Sequence, residues 1–357
     1  MTHSIKTQGH GESNRTMKNK NDKKITFGII GYGRFGKLWA KYMSKYGMVF
    51  VFDKREKIIE KIPNITVTDL KQAVSTDIIF LTVPISELED CCKTIRPLLS
   101  SRTLVVDMCS VKIYPVKIMK KYLPKNQLTL ATHPLFGPDS EKINQGINGL
   151  KIVVCPSKIK SVFEKRLIDI FKKLKLKIIT ASPKDHDRQM ANSQALVHFI
   201  GRGLAKLKLN PQEIYTPDYN SLMRLNQMVN NDTWQLFFDM QRKNPFASII
   251  RQKFIRNLEI LSEAVMPKKN TLQGLRENIE KIDNTIIRLL SMRLKIAKNI
   301  GILKQKRGFR VVDHNREKEL MKLHHKYSGQ NKIDQKFIDK IFNLVIKHSR
   351  AVQKKNI

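Results

Sequence analysis

Between Ile25 and about residue 180, short apolar runs alternate with amphipathic stretches. The runs read ITFGII, MVFVFD, DIIFLTVP, TLVVDM and LTLATH, then KIVVCP and KIITASP. Runs this short, without polar alternation, suit strands buried on both faces of a parallel sheet, with segments such as GKLWAKYM as crossover helices. The pattern predicts an α/β doubly wound, Rossmann-type domain over residues 25–180. After Pro183 the strands stop, and the chain to about Val265 reads as helical, broken at Pro211, Pro217 and Pro245. That stretch is expected to be an all-α substrate and dimerisation domain over 181–266. Pro-Lys-Lys-Asn at 267–270 reads as a linker.

Beyond it, Leu272, Leu275, Ile279, Ile282, Ile286, Leu289 and Leu290 recur at steps of three and four, and the stripe continues to Leu303. This describes one amphipathic helix of roughly 35 residues and about 50 Å. Two shorter helices, around 314–327 and 334–353, complete an all-α three-helix domain over 271–357. A lone helix of that length must bury its stripe against partners, so an intertwined homodimer is expected. Residues 1–24 are polar and aperiodic, and are expected to be a disordered tail.

Composition changes this picture little. The formal net charge of +36 invites a nucleic-acid reading. However, the basic residues are scattered over nearly every segment, without zinc-finger, leucine-zipper or ribonucleoprotein motifs. Abundant Lys, Ile and Asn point instead to a compositional bias. The four cysteines, Cys91, Cys92, Cys109 and Cys155, lack metal-site or disulfide-scaffold spacing, so no metal is expected and a reducing cytoplasm is inferred. No run approaches the length of a membrane span, and the N-terminus lacks the apolar stretch of a secretory signal.

The sequence IGYGRFG places Gly31, Gly33 and Gly36 between the first strand and first helix, where glycines permit a tight turn and close pyrophosphate approach. Asp53 follows at the end of the second strand, where a carboxylate accepts the adenosine ribose hydroxyls. Arg34 and Phe35 of the turn, and Val83 and Pro84 after the strand DIIFLTVP, are expected to complete the cofactor site. Asp53 favours NAD over NADP, although Lys54 and Arg55 would accommodate a 2′-phosphate if Asp53 turned away.

At the ends of later strands lie DMCSVK, with Ser110 and Lys112, and THPLFGPDS, with His133, Asp139 and Ser140. Strand ends flank the ligand crevice in such a sheet, so Ser110 and His133 can face a nicotinamide together. A histidine there can take a hydroxyl proton during hydride transfer, but on the residues alone a structural role is equally open. SVK, HPLFGPDS and HDRQMANSQALVHF together resemble the prephenate dehydrogenase family over roughly residues 25–265. The resemblance implies that His133 accepts a hydrogen bond from the ring hydroxyl of prephenate, that Ser110 helps to hold it, and that His198 belongs to the active site. It implies oxidative decarboxylation of the ring. Helix packing stays open for His198 on residue grounds. One departure stands out. Where the family carries an arginine for the ring carboxylate this chain has Gln227, and Arg224, one helical turn earlier, is expected to take over that anion.

The long C-terminal helix carries Arg276, Arg293 and Lys304. Arg293 and Lys304 differ by only about 20° in direction, whereas Arg276 lies about 100° away, as a site shared between two subunits would require. Solvated cations are the ordinary reading of any one of them. Together with DHNREKE and HSRAVQ they resemble the all-helical chorismate mutases over residues 271–357. By that resemblance Arg293, and Arg276 from a partner subunit, bind substrate carboxylates, while Lys304 and Gln353 hydrogen-bond the ether oxygen. Arg316 adds positive potential, Asp313 and Glu317 surround the hydroxyl end, and Ser349 completes the pocket.

The expectation is a cytoplasmic homodimer that makes prephenate from chorismate and oxidises it with NAD. An arogenate dehydrogenase fused to a mutase, and a regulatory or nucleic-acid-binding protein on a decayed enzyme scaffold, are the alternatives.

Overall fold

The computed structural model describes residues 25–55, 62–157, 161–265 and 271–354. The expected tail at 1–24 and linker at 267–270 lie outside the described residues. Two compact units divide after Leu261.

The first unit is built on one eight-stranded sheet. In chain order it comprises β1 (Thr26–Ile30), α1 (Arg34–Met43), β2 (Met48–Phe52), β3 (Ile65–Val67), α2 (Leu70–Val74), β4 (Ile78–Leu81), α3 (Leu88–Ile95), β5 (Leu104–Asp107) and α4 (Ile113–Tyr122). There follow β6 (Leu128–Pro134), α5 (Pro138–Ile143), β7 (Lys151–Cys155), α6 (Val162–Lys173) and β8 (Lys177–Thr180). The strand order is β3-β2-β1-β4-β5-β6-β7-β8. The order reverses beside β1, which opens a crevice at the carboxyl ends of β1 and β4. The central strands β4 and β5 are buried throughout, which is why they read as unbroken apolar runs. On one face Trp39 packs edge-on against Phe80 and Phe171; on the other Leu88, Cys92, Ile95 and Met119 close the core.

The structure departs from the all-parallel expectation at two strands, β7 and the β8 that lies parallel to it. β7 runs antiparallel to β6, pairing His133 with Val153. The connection holds only the short α5, whose Glu141 accepts a hydrogen bond from the Tyr42 hydroxyl at 2.8 Å. The chain is therefore held beside α1 and does not cross back along a face of the sheet, so β7 must return from the end where β6 stopped. Strand β3, three residues long with an exposed second half, gave too little apolar signal to be expected.

Helices then take over: α7 (Pro183–Met190), a π-helical turn at Ala191–Ala195, α8 (Leu196–Lys206), α9 (Pro217–Asn230), α10 (Trp234–Lys243) and α11 (Ala247–Ala264). Pro183 and Pro217 occupy first turns, where a missing N–H costs nothing.

In the second unit α12 (Leu272–Lys306) is a single 35-residue helix, followed by α13 (His314–Gln330) and α14 (Gln335–Lys354). The Thr271 hydroxyl caps α12 by accepting from the Gly274 N–H, and the Asp313 carboxylate caps α13 through the Arg316 N–H. Gly301 lets α14 come close: a Cβ there would lie 3.1 Å from Cα of Gln353. Among the described residues no helix is long and apolar enough to cross a membrane.

Candidate active sites

The turn after β1 is shaped for a dinucleotide. Gly31 has φ +98°, and a Cβ there would lie 2.8 Å from the Thr82 backbone. At Gly36 a Cβ would come within 2.1 Å of the Gly31 carbonyl oxygen, so only glycine lets α1 start this close to the strand. Gly33 opens onto free space, and the α1 N-terminus has no side-chain cap, which leaves its N–H groups to a phosphate. Asp53 accepts from the Tyr32 N–H at 2.6 Å and the Arg55 N–H at 2.8 Å, which aims its carboxylate across the turn. These residues fit a dinucleotide. Lys54 and Arg55, expected as possible phosphate ligands, are instead both paired with Glu87, Lys54 at 3.2 Å.

A cavity of 630 Å³ extends from this turn and is lined by Gly31, Gly33, Arg34, Phe35, Asp53, Val83, Pro84, Ser110, His133 and His198. It falls in the size range of small-molecule sites. Ser110 Oγ, Gln194 Oε1 and His198 Nδ1 reach this cavity as buried polar atoms without a hydrogen-bond partner among the described residues. Such atoms are costly unless a ligand satisfies them.

His133, at the end of β6, is buried, and its Nδ1 lies 2.9 Å from Nε2 of His186. His186 Nδ1 in turn lies 2.8 Å from Oδ1 of Asp187. The Asp187 carboxylate also accepts the N–H groups of Lys112 (2.6 Å) and Ile113 (2.9 Å) at the start of α4. It can therefore only accept from His186 Nδ1, which leaves His186 Nε2 as an acceptor for the His133 Nδ1–H. This sequence of donors fixes the neutral tautomer of His133 with its lone pair on Nε2. Burial, then His186 and Lys112, push the His133 pKa well below the usual histidine value, so the ring is a free base at neutral pH. Lys112, noted in the sequence beside Ser110, is fully buried between Asp107 and the Thr132 carbonyl, and so braces the β5 and β6 ends.

The far wall of the cavity comes from the helices. His198 on α8 lies 3.7 Å from Asp232, and burial lowers its pKa to about 4, helped by Arg202. The Arg202 guanidinium donates to Oδ1 of Asn230 at 3.0 Å and stacks on Trp234, fixing the turn that carries Asp232. Burial raises the Asp232 pKa. Arg34, expected at the cofactor, lines the cavity and also bridges its mouth: it donates to both oxygens of Asp139 and, at 2.8 Å, to the Asn231 carbonyl.

Arg224, expected to take over the ring carboxylate, lies outside the lining of this cavity. Leu225, Met228 and Val229 of α9 line the cavity, whereas Arg224 is exposed and is not among its lining residues. Gln227 is exposed as well.

The two buried histidines make a pH prediction. An unfolded histidine titrates near 6.5, and His133 and His198 titrate lower when folded. Their contribution is complete above about pH 6.5 and is lost as pH falls toward the folded values, about 4 for His198. Between pH 7 and pH 5 wild type should lose roughly 2 kcal/mol more stability than His198→Asn. Guanidinium midpoints for both proteins across that range measure it, and parallel curves would refute it.

In the second unit Arg293 donates to the Ser349 hydroxyl, tying α12 to α14. Lys304 Nζ donates to the Val311 carbonyl at 2.7 Å. Gln353 is half-buried, and its Oε1 lacks a partner among the described residues. Arg293, Ser349 and Gln353 thus lie along the α12–α14 contact, while Lys304 turns to the segment that follows α12. Asp313 is committed to its cap, Arg316 reaches outward to Glu319 at 2.8 Å, and Arg276 is exposed on α12. Glu317, expected at a substrate hydroxyl, is gripped at both oxygens by Arg350, which lowers its pKa. Sequence reasoning passed over Arg350 within HSRAVQ, and over His186 and Asp187 within HDRQMANSQALVHF. The adjacent His-Asp pair was the signal. Only the fold shows that it meets His133.

Residues 41–180 match the family described as prephenate dehydrogenase, nucleotide-binding domain, and residues 275–354 match chorismate mutase type II. Residues 203–286 match the TYRAAT1-like C-terminal domain. Arogenate dehydrogenase 1, chloroplastic, of Arabidopsis thaliana is 30% identical over 230 residues, covering 60% of this chain, and the chain spans 36% of that protein's length. A chorismate mutase of Methanocaldococcus jannaschii is 32% identical over 83 residues, which is 23% of this chain and 84% of the mutase. In fold, the first unit is similar to the crystal structure of Aquifex aeolicus prephenate dehydrogenase in complex with hydroxyphenyl propionate and NAD+, with TM-score 0.53 and 18% identity over 77% of this chain and 99% of that one.

Proposed function

We propose, for a chain that belongs to the chorismate mutase family through residues 275–354 and carries a prephenate dehydrogenase nucleotide-binding domain, that it performs two consecutive steps of tyrosine biosynthesis. The C-terminal unit isomerises chorismate to prephenate, and the N-terminal unit oxidatively decarboxylates prephenate to 4-hydroxyphenylpyruvate with NAD. The observation that carries the second step is the Asp187–His186–His133 chain ending in a cavity beside Ser110.

A bound nicotinamide dinucleotide supplies the hydride acceptor. The glycine turn and the free N–H groups of α1 would hold its pyrophosphate, and Asp53 would take its ribose hydroxyls. His133 Nε2 receives the proton of the ring hydroxyl, and His186 keeps the imidazole oriented while it is charged. Ser110 positions the same hydroxyl. Loss of carbon dioxide restores aromaticity, so the protein contributes placement and one base, not powerful activation.

The mutase step is a concerted rearrangement that needs no nucleophile. Arg293, with Arg276 of a second copy, clamps the two carboxylates, and Lys304 and Gln353 stabilise charge on the breaking ether. Ser349 steadies Arg293, Arg316 adds potential, and Asp313 and Glu317 border the hydroxyl end. A homodimer follows from the same reading, because the α12 stripe of Leu275, Ile279, Ile282, Ile286 and Leu289 is exposed in one chain. Its four cysteines are free, as a cytoplasmic enzyme keeps them.

The test is to supply chorismate and NAD+ to the purified protein and to record NADH together with chorismate loss. NADH formed from chorismate alone supports both activities and their order; chorismate loss without NADH rejects the prephenate–NAD reading. A second reading, arogenate as the substrate, is favoured by Asp232, a residue of the cavity wall whose carboxylate could recognise an α-ammonium group. If it holds, kcat/KM for arogenate exceeds that for prephenate, and Asp232→Asn reverses the order.

A further inference from the structure

We propose that Glu87 sets the cofactor preference, by holding Lys54 and Arg55 away from the place where a ribose 2′-phosphate would lie. The inference rests on the NAD reading above and names the residue that enforces it.

Three features support it. Asp53, Lys54, Arg55 and Glu87 line the same end of the cavity, directly after β2 and β4. Each Asp53 oxygen already takes one backbone N–H, from Tyr32 or Arg55, so the carboxylate is fixed facing the ribose position and cannot swing aside. The two cations that would otherwise welcome a phosphate both turn to one carboxylate: Lys54 Nζ lies 3.2 Å from one Glu87 oxygen, and Arg55 Nη2 is bonded to the other.

Glu87 is well suited to keep them. It lies at the end of a short 3₁₀ turn, in the N-cap position of α3, where the helix dipole favours a negative charge although the side chain makes no capping bond. Its side chain is only 22% exposed, against 61% for each cation, so the cations come to the acid. A 2′-phosphate would have to displace Glu87 from both partners and then share the site with two carboxylates, Asp53 and Glu87. NAD, with only hydroxyls there, meets neither cost. Sequence alone counts Asp53 against Lys54 and Arg55 and leaves a positive balance; Glu87, 32 residues after Arg55, brings it to zero.

Glu87→Gln keeps the shape and removes the charge. Because exposed ion pairs contribute little to stability, the variant should fold as wild type does, with an unchanged thermal midpoint. Titration calorimetry of wild type and variant with 5′-AMP and 2′,5′-ADP reads the 2′-phosphate directly, without any turnover. Wild type should prefer 5′-AMP, and Glu87→Gln should raise the affinity for 2′,5′-ADP relative to 5′-AMP by about tenfold or more, a gain that weakens with salt. Adding Lys54→Ala and Arg55→Ala to the variant should abolish the gain. A wild type that prefers 5′-AMP, with an unchanged ratio in Glu87→Gln, overturns the role of Glu87 alone. A wild type that prefers 2′,5′-ADP overturns the NAD reading and the role of Glu87 with it.

Discussion

Replacing His133 with asparagine is expected to lower the dehydrogenase kcat by about 10²- to 10⁴-fold, the usual worth of a positioned general base. Chorismate loss, catalysed in the other unit, should continue at the wild-type rate, so one sample reports both the damage and the integrity of the fold. The size of the effect follows from the donor sequence behind the ring. Asp187 is saturated by two backbone N–H groups and His186, so only His133 Nε2 is left with a lone pair facing the cavity. Asparagine can keep a hydrogen bond toward His186, but it cannot hold a proton at the position of Nε2. Burial keeps His133 neutral well below its ordinary titration range, so wild type should show no loss of kcat/KM centred near pH 6.5 from this residue. A fall in kcat of less than threefold in the variant would remove His133 from the role of base.

Lys304→Ala should cost the mutase about 10²- to 10³-fold in kcat, because it removes a charged donor from the oxygen on which charge develops. Arg276→Ala should cost a similar factor by loosening a carboxylate. Neither change should alter oxidation of added prephenate. The pair also tests the shared site. If Arg276 reaches the site of a second copy, each variant alone has two broken sites per dimer. Coexpression of the two chains produces heterodimers in about half of the dimers, each with one site intact, and should restore roughly a quarter of the wild-type activity. Activity no greater than that of either variant would show that Arg276 and Lys304 serve one chain.

Several features were legible before any coordinates. The apolar runs at β1, β4 and β5 declared strands buried on both faces, because such strands leave no room for polar alternation. The stripe from Leu272 to Leu303 announced α12 at its full length, because nothing in that segment interrupts a helix. The glycine turn and Asp53 were recognisable because backbone constraints act over a few residues and leave a fixed spacing. Features that depend on distant segments were not. The β6–β7 connection packs beside α1 through the Tyr42–Glu141 bond, 99 residues apart, which no local pattern announces.

The sequence by itself determined the element types, the dinucleotide turn and the two family resemblances, since periodicity, turn requirements and motif spacing are local properties. The tertiary structure alone decided which of those groups act together. It joined His133 to His186 across 53 residues and so chose a tautomer, turned Arg224 outward, closed Arg350 on Glu317, and paired Lys54 and Arg55 with Glu87. Each of these is a charge or a proton whose state depends on a neighbour brought by the fold, and no local pattern of residues encodes that neighbour.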